Sequence, residues 1–146
     1  MAVAFRGHGR WLGFTAKLLA RSSPGISMKS KESDVEKALT AYLRFALPRE
    51  AVSFHIPNGG YKLSVGELAR LKAAGYTAGV PDRCVLWGGR AYWFETKGPK
   101  GRISEVQAAM FERFAVSGHH VHVVRSVEDM EMALIDAGIP INVRLL

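Results

Sequence analysis

The sequence predicts one α/β domain with helices and strands in the order αβαββαβα. Three observations predict it: apolar residues recur at helical spacing in separate segments, short β-rich runs alternate with them, and Gly88-Gly89 joins two such runs by a two-residue turn. A chain of 146 residues, 48% apolar and 23% charged, has room for one ordinary core and no more. No apolar run approaches the ~20 residues that span a bilayer. The single cysteine, Cys84, excludes an internal disulfide and a multi-cysteine zinc site, and suits a reducing cytoplasm.

The elements follow in order. Residues 1–31 hold Arg6, Arg10, Lys17, Arg21, Lys29 and Lys31 and no acid, so this leader carries +6 of the formal +7. The remaining 14 bases and 13 acids leave residues 32–146 nearly neutral, which makes the net charge a weak sign of nucleic-acid binding. The leader reads as a basic flexible extension, with Met28 an alternative start. A phosphate-tracking arm ranks second and an organelle transit peptide third.

From Asp34, the residues Val35, Ala38, Leu39, Tyr42, Leu43 and Ala46 mark an amphipathic helix that Pro48 closes. Val52–Ile56 reads as a strand stopped by Pro57-Asn58-Gly59-Gly60. Ser64-Val65-Gly66-Glu67 is a capping-box signature that opens a helix to Ala74, before Gly75. Arg83–Trp87 and Arg90–Thr96 form the hairpin. A helix from Ser104 to about Ser117, a strand from His119 to Val124, and a helix from Ser126 to near Gly138 complete the domain.

The hairpin carries the chemistry. With Gly88 and Gly89 as turn residues, Val85 faces Tyr92, Trp87 faces Arg90 and Asp82 faces Glu95. Cβ atoms of facing residues lie roughly 4.5–5.5 Å apart on one side of the sheet. Two carboxylates so close repel unless a cation lies between them, and Lys97 shares their face by alternation. Such an oxygen set suits Mg²⁺ or Mn²⁺, and carboxylate, carboxylate and lysine on one face is what metal-assisted phosphodiester hydrolysis requires. Cys84, Leu86, Tyr92 and Phe94 on one parity, and Val85, Trp87, Ala91 and Trp93 on the other, predict a pair covered on both faces. A solvated edge with an incidental Glu-x-Lys alternation is the competing reading.

Pro81-Asp82 and Glu95-Thr96-Lys97 resemble the motif of the PD-(D/E)xK nuclease superfamily, whose restriction-endonuclease-like core is a central mixed sheet flanked by helices. Ile56-Pro57-Asn58-Gly59-Gly60, Gly79-Val80-Pro81-Asp82, Gly101-Arg102-Ile103-Ser104 with Gln107, and Gly118 before a strand resemble its VRR-NUC (virus-type replication-repair nuclease) family over about residues 32–131. The resemblance implies a structure-selective DNA endonuclease of replication, recombination or repair. It also implies a homodimer like the Holliday-junction resolvases, cytoplasmic and encoded by bacteria or phages.

Position by position, the resemblance implies Glu36, Asp82, Glu95 and the Thr96 carbonyl as metal ligands, and Lys97 and Gln107 as catalytic partners. Arg83 departs from the apolar residue usual after the Asp. Glu36 is equally a first-turn acid facing the helix dipole. Gln107 equally completes a capping box with Ser104, and Asn58 equally suits its turn.

Lys100 and Arg102, beside the Glu-x-Lys strand, and Asn58 are candidate substrate contacts. His119 alternates away from His120 and His122, which argues against a zinc cluster, and the Gly98–Arg102 loop lacks a P-loop's Gly-Lys-Ser/Thr. A non-catalytic nucleic-acid-binding module and a scaffolding subunit of a repair complex are the alternative functions.

Overall fold

The computed structural model describes residues 32–58 and 63–145, and the basic leader lies outside them. The elements are α1 (Glu32–Ala46), β1 (Val52–His55), α2 (Val65–Ala73), β2 (Arg83–Trp87), β3 (Arg90–Thr96), α3 (Glu105–Val116), β4 (Val121–Val124) and α4 (Val127–Asp136). The order is the one the sequence predicts. The first and last strands are one to two residues shorter than expected, where Pro57 follows β1 and the exposed His119 and His120 precede β4.

The four strands lie in the order β1-β2-β3-β4. The first two pairings are antiparallel, and β3–β4 is parallel. A parallel neighbour cannot be reached by a tight turn, so α3 makes the crossover. The β2–β3 register runs Trp87↔Arg90, Val85↔Tyr92 and Arg83↔Phe94, as the two-glycine turn requires. Gly88 and Gly89 both have positive φ, 57° and 75°, which L side chains rarely adopt.

One sheet face holds the core. Val35, Leu39, Tyr42, Leu43 and Ala46 of α1 pack with Met130, Ala133 and Leu134 of α4 against Val85, Phe94 and Val124. The acids Glu32 and Asp34 stand in the first turn of α1 and Arg44 in its last, each matching the helix dipole. Past α4 the chain returns to α1, where the Asn142 N–H donates to the Ala46 carbonyl at 2.8 Å and its side chain to the Leu47 carbonyl at 3.0 Å. Those bonds satisfy carbonyls that a helix end leaves open.

The expectation of cover on both faces needs correction. Alternating apolar residues show that both faces can be buried, not how much each one is. On the second face α3 covers Trp93, whose ring meets Phe114 edge-on at 5.0 Å. Towards the β1 edge, Val52, Phe54 and Leu86 stay exposed, while α2 buries none of its residues. No helix among the described residues is long and apolar enough to cross a membrane.

Candidate functional site

At the end of the sheet where β2 begins and β3 finishes, a cleft of about 820 Å³ opens between the N-terminal ends of α1 and α3. Glu32 and Glu36 of α1, Asp82, Glu95 and Lys97 of the hairpin, Gln107 of α3 and His55 of β1 all line it. Asp82, Glu95 and Lys97 are each more than nine-tenths buried. The strands set their places. The Asp82 carbonyl accepts the Ile56 N–H at 2.6 Å, and the Lys97 N–H donates to the Val124 carbonyl at 2.9 Å.

Each carboxylate has its own holder. Asp82 accepts from the Thr96 N–H at 2.8 Å and from the Thr96 hydroxyl at 3.1 Å. Glu95 Oε1 receives Lys97 Nζ at 2.5 Å and the side-chain amide of Gln107. Gln107 therefore completes the capping box with one end of its amide and reaches Glu95 with the other. Its Oε1 accepts from the Ser104 N–H at 3.1 Å as a capping box does, while its Nε2 donates to Glu95.

The electrostatics are those of crowded acids. Burial pushes the Asp82 carboxyl above its ordinary range, the Thr96 bonds pull it back, and Glu36 pushes it up again. Burial also raises Glu95, which Lys97 lowers and Asp82 raises. Among the described residues, four carboxylates and one lysine line the cleft.

The other expected contacts divide. Asn58 lines the cleft, but its amide turns inward and donates to the Val80 carbonyl at 2.6 Å and, more weakly, to that of Pro81 at 3.4 Å. Tyr76 in turn donates to the Asn58 carbonyl at 3.1 Å. Asn58 thus positions the segment leading into Asp82. Gly79 lets that segment approach α3, since a Cβ there would meet the Val106 carbonyl oxygen at 2.7 Å. Lys100 and Arg102 are exposed on the loop after β3 and are not among the residues lining the cleft. Arg125 holds that loop by donating to the Gly101 carbonyl at 3.0 Å.

The three histidines fall as alternation requires. His120 and His122 meet at 4.5 Å between ring centroids, and His119 lies against Trp93 on the other side. His55 and Arg83 are the residues that sequence reasoning undervalued. The structure pairs them across β1 and β2, two potential cations beside Asp82, a long-range register that no local sequence signal carries.

No family model matches the chain, and no curated protein matches it.

The expected metal ligands do not converge ready-made. Among the described residues no three His, Cys, Asp or Glu side chains gather as a metal centre would. The reason is local: Lys97 and Gln107 take up Glu95, Thr96 takes up Asp82, and Glu36 acts on Asp82 through its charge. The donor chemistry nevertheless fits a hard divalent cation. All donors are oxygens, the two inner carboxylates repel each other, and a third raises Asp82 further.

Proposed function

We propose that this chain is a Mg²⁺- or Mn²⁺-dependent nuclease of the VRR-NUC type that hydrolyses DNA phosphodiesters, selecting branched or otherwise structured DNA. The observation that carries this reading is Glu95 bonded to Lys97 and Gln107 beside the buried Asp82, in an open cleft of about 820 Å³. A phosphodiester is an anion and would be repelled from four carboxylates unless a cation joined them. That requirement makes cation dependence part of the proposal.

Glu36, Asp82, Glu95 and the Thr96 carbonyl would hold the ion. When bound, it supplies Lewis acidity at a phosphoryl oxygen and at the attacking water. The chain's own groups do the rest. Thr96 orients Asp82 through two hydrogen bonds, which favour its ionised form against the burial that raises its pKa. Lys97 offsets negative charge that builds on the phosphoryl group, and its bond to Glu95 fixes its ammonium in place. Gln107, anchored through Ser104 at the start of α3, holds Glu95 in one orientation and presents its amide to the cleft.

A homodimer belongs to the same proposal. Val52 and Leu86 face each other across β1 and β2, with Phe54 two residues along, and all three are exposed. They form an apolar surface suited to a second copy.

The test is to incubate the purified full chain with labelled four-way junction, flap, duplex and single strand in Mg²⁺, Mn²⁺ or EDTA. Cleavage of a branched substrate in either metal and none in EDTA is expected. Full cleavage in excess chelator would refute the carboxylate-metal mechanism, and binding without cleavage in either metal would favour a non-catalytic module.

A further inference from the structure

Next to the acidic cleft lies a groove of the opposite character. It has a volume of about 410 Å³ and runs between the C-terminal half of α1 and the edge strand β1. Arg44, Arg49, Arg83 and His55 line it together with Thr40 and Ser53, and among the described residues no carboxylate lines it; Glu36 lines the adjoining hollow with Thr40, Arg44, His55 and Arg83. His55 lines both the groove and the cleft, so the two adjoin.

The register explains why these side chains meet. His55 pairs with Arg83 and Ser53 with Val85, so Ser53, His55 and Arg83 share the face that looks toward α1. Arg83 follows Asp82 directly, and successive strand residues point to opposite faces. One residue thus serves the acidic cleft and the next serves the basic groove.

Two hydrogen-bonding groups in this groove are buried without a partner among the described residues: Arg83 Nε and Ser53 Oγ. Arg83 is only 4% exposed. Its Nη2 donates to the Thr40 hydroxyl at 2.8 Å, which engages one of the five N–H donors of a guanidinium. Burying a guanidinium with so few acceptors is expensive, and native proteins leave few such groups unsatisfied. Burial does press the Arg83 pKa down, while Asp82 and Glu36 hold it up. An arginine stays charged through shifts of this kind. Among the described residues no ion pair engages Arg44, Arg49 or Arg83. A forked, charged donor with an orphaned N–H, a nearby orphaned hydroxyl and two further arginines calls for a multidentate oxyanion.

We propose that the α1–β1 groove holds a backbone phosphate of the DNA strand being cut, on the Arg83 side of the scissile bond. Arg83 and Ser53 are its buried donors, and Arg44 and Arg49 its outer charges. The assignment rests on the nuclease reading and deepens it. The acidic cleft requires a cation and repels the backbone, so a neighbouring basic groove supplies the grip that the cleft lacks. A residue that departs from the apolar type usual at its position thereby gains a role.

The test measures binding separately from cutting. Fluorescence anisotropy of the full chain with labelled single-stranded and duplex DNA is recorded in EDTA over a range of salt concentrations. Five forms are compared: wild type, Arg44→Ala/Arg49→Ala, Ser53→Ala, Arg83→Met, and a control Arg90→Ala/Arg113→Ala that removes the same charge as the groove pair elsewhere. The groove pair should lose about tenfold in affinity, and its log–log salt slope should flatten by about 1. The control should lose no more than about threefold and keep its slope. Ser53→Ala should lose affinity with no change in charge. Arg83→Met should lose at least as much as Ser53→Ala, and if it fails to fold, the other three variants decide.

If the groove pair behaves like the control, the subsite is refuted, whatever the chain cuts. If the groove pair loses binding while the wild type cuts nothing in any metal, the groove stands as a backbone contact and the nuclease reading falls.

Discussion

Glu95 and Glu131 are both buried acids, 3% and 0% exposed, yet they occupy opposite kinds of environment. Glu131 sits on α4 inside the core. Its Oε2 accepts from the Tyr42 hydroxyl at 3.1 Å and from the Leu145 N–H at 2.7 Å, tying α1 and the C-terminal segment to α4. Burial, helped by the carboxylate of Glu131, drives the Tyr42 hydroxyl well above its ordinary pKa, so it remains a neutral donor. Glu95 instead meets a lysine, an amide and a second carboxylate at the wall of a cleft. Burial of an acid therefore does not mark a site by itself. What separates the two is unsatisfied like charge beside open space.

The largest effect should come from removing Lys97. Lys97→Ala deletes the cation beside the reacting phosphate, and cleavage should fall by ~10²–10³ while the fold persists. Single-turnover cleavage rates together with a thermal melt would check both halves, and a wild-type rate would remove Lys97 from the chemistry.

Glu131→Ala should show the reverse pattern. It leaves the buried Tyr42 hydroxyl with only its weaker 3.4 Å bond to the Val143 carbonyl and takes the acceptor from the partly buried Leu145 N–H, and should cost about 3 kcal/mol of stability. The molecules that remain folded should cut at the wild-type rate per active site. Urea unfolding paired with active-site titration measures both, and a comparable fall in the per-site rate would erase the contrast between the two glutamates.

A smaller effect concerns pH. Asp82 and Glu95 both have folded-state pKa values raised above their ordinary 3.8 and 4.5. Between the ordinary and raised values the folded chain binds more protons than the unfolded one. The stability these groups contribute is therefore full below the ordinary range and lost as pH climbs through the raised values. Asp82→Asn should flatten that decline and melt higher than wild type at neutral pH. Melting curves at a series of pH values would show it. A variant that declined as steeply as wild type would mean that Asp82 is not the strained acid described here.

How much of this was legible in the sequence depended on locality. The β2–β3 register could be read because a two-glycine turn admits one pairing, and Asp82, Glu95 and Lys97 followed from it. Caps were legible for the same reason: Ser64 with Glu67 and Ser104 with Gln107 act within four residues. The double role of Gln107 was not, because a spacing pattern cannot show that the two ends of an amide find different partners.

Cover on the second face was overestimated, since alternation shows that a strand is apolar and leaves open what packs on it. Asn58 looked like a substrate contact, but its amide serves Val80 and Pro81, a contact across 22 residues that no local pattern carries. The basic groove was out of reach for a similar reason. Arg44, Arg49 and Arg83 are scattered along the chain, and the overhang of α1 on β1 brings them together.

The central claim is that the charge at Asp82 and Glu95 is completed by a divalent cation. Calorimetric titration of Mn²⁺ into wild type, Asp82→Asn and Glu131→Gln at neutral pH tests it most directly. Wild type and Glu131→Gln should bind alike, and Asp82→Asn should show binding weakened by at least about tenfold. If wild type gave no binding heat, or if Asp82→Asn bound as tightly as wild type, the cleft would not be a cation site.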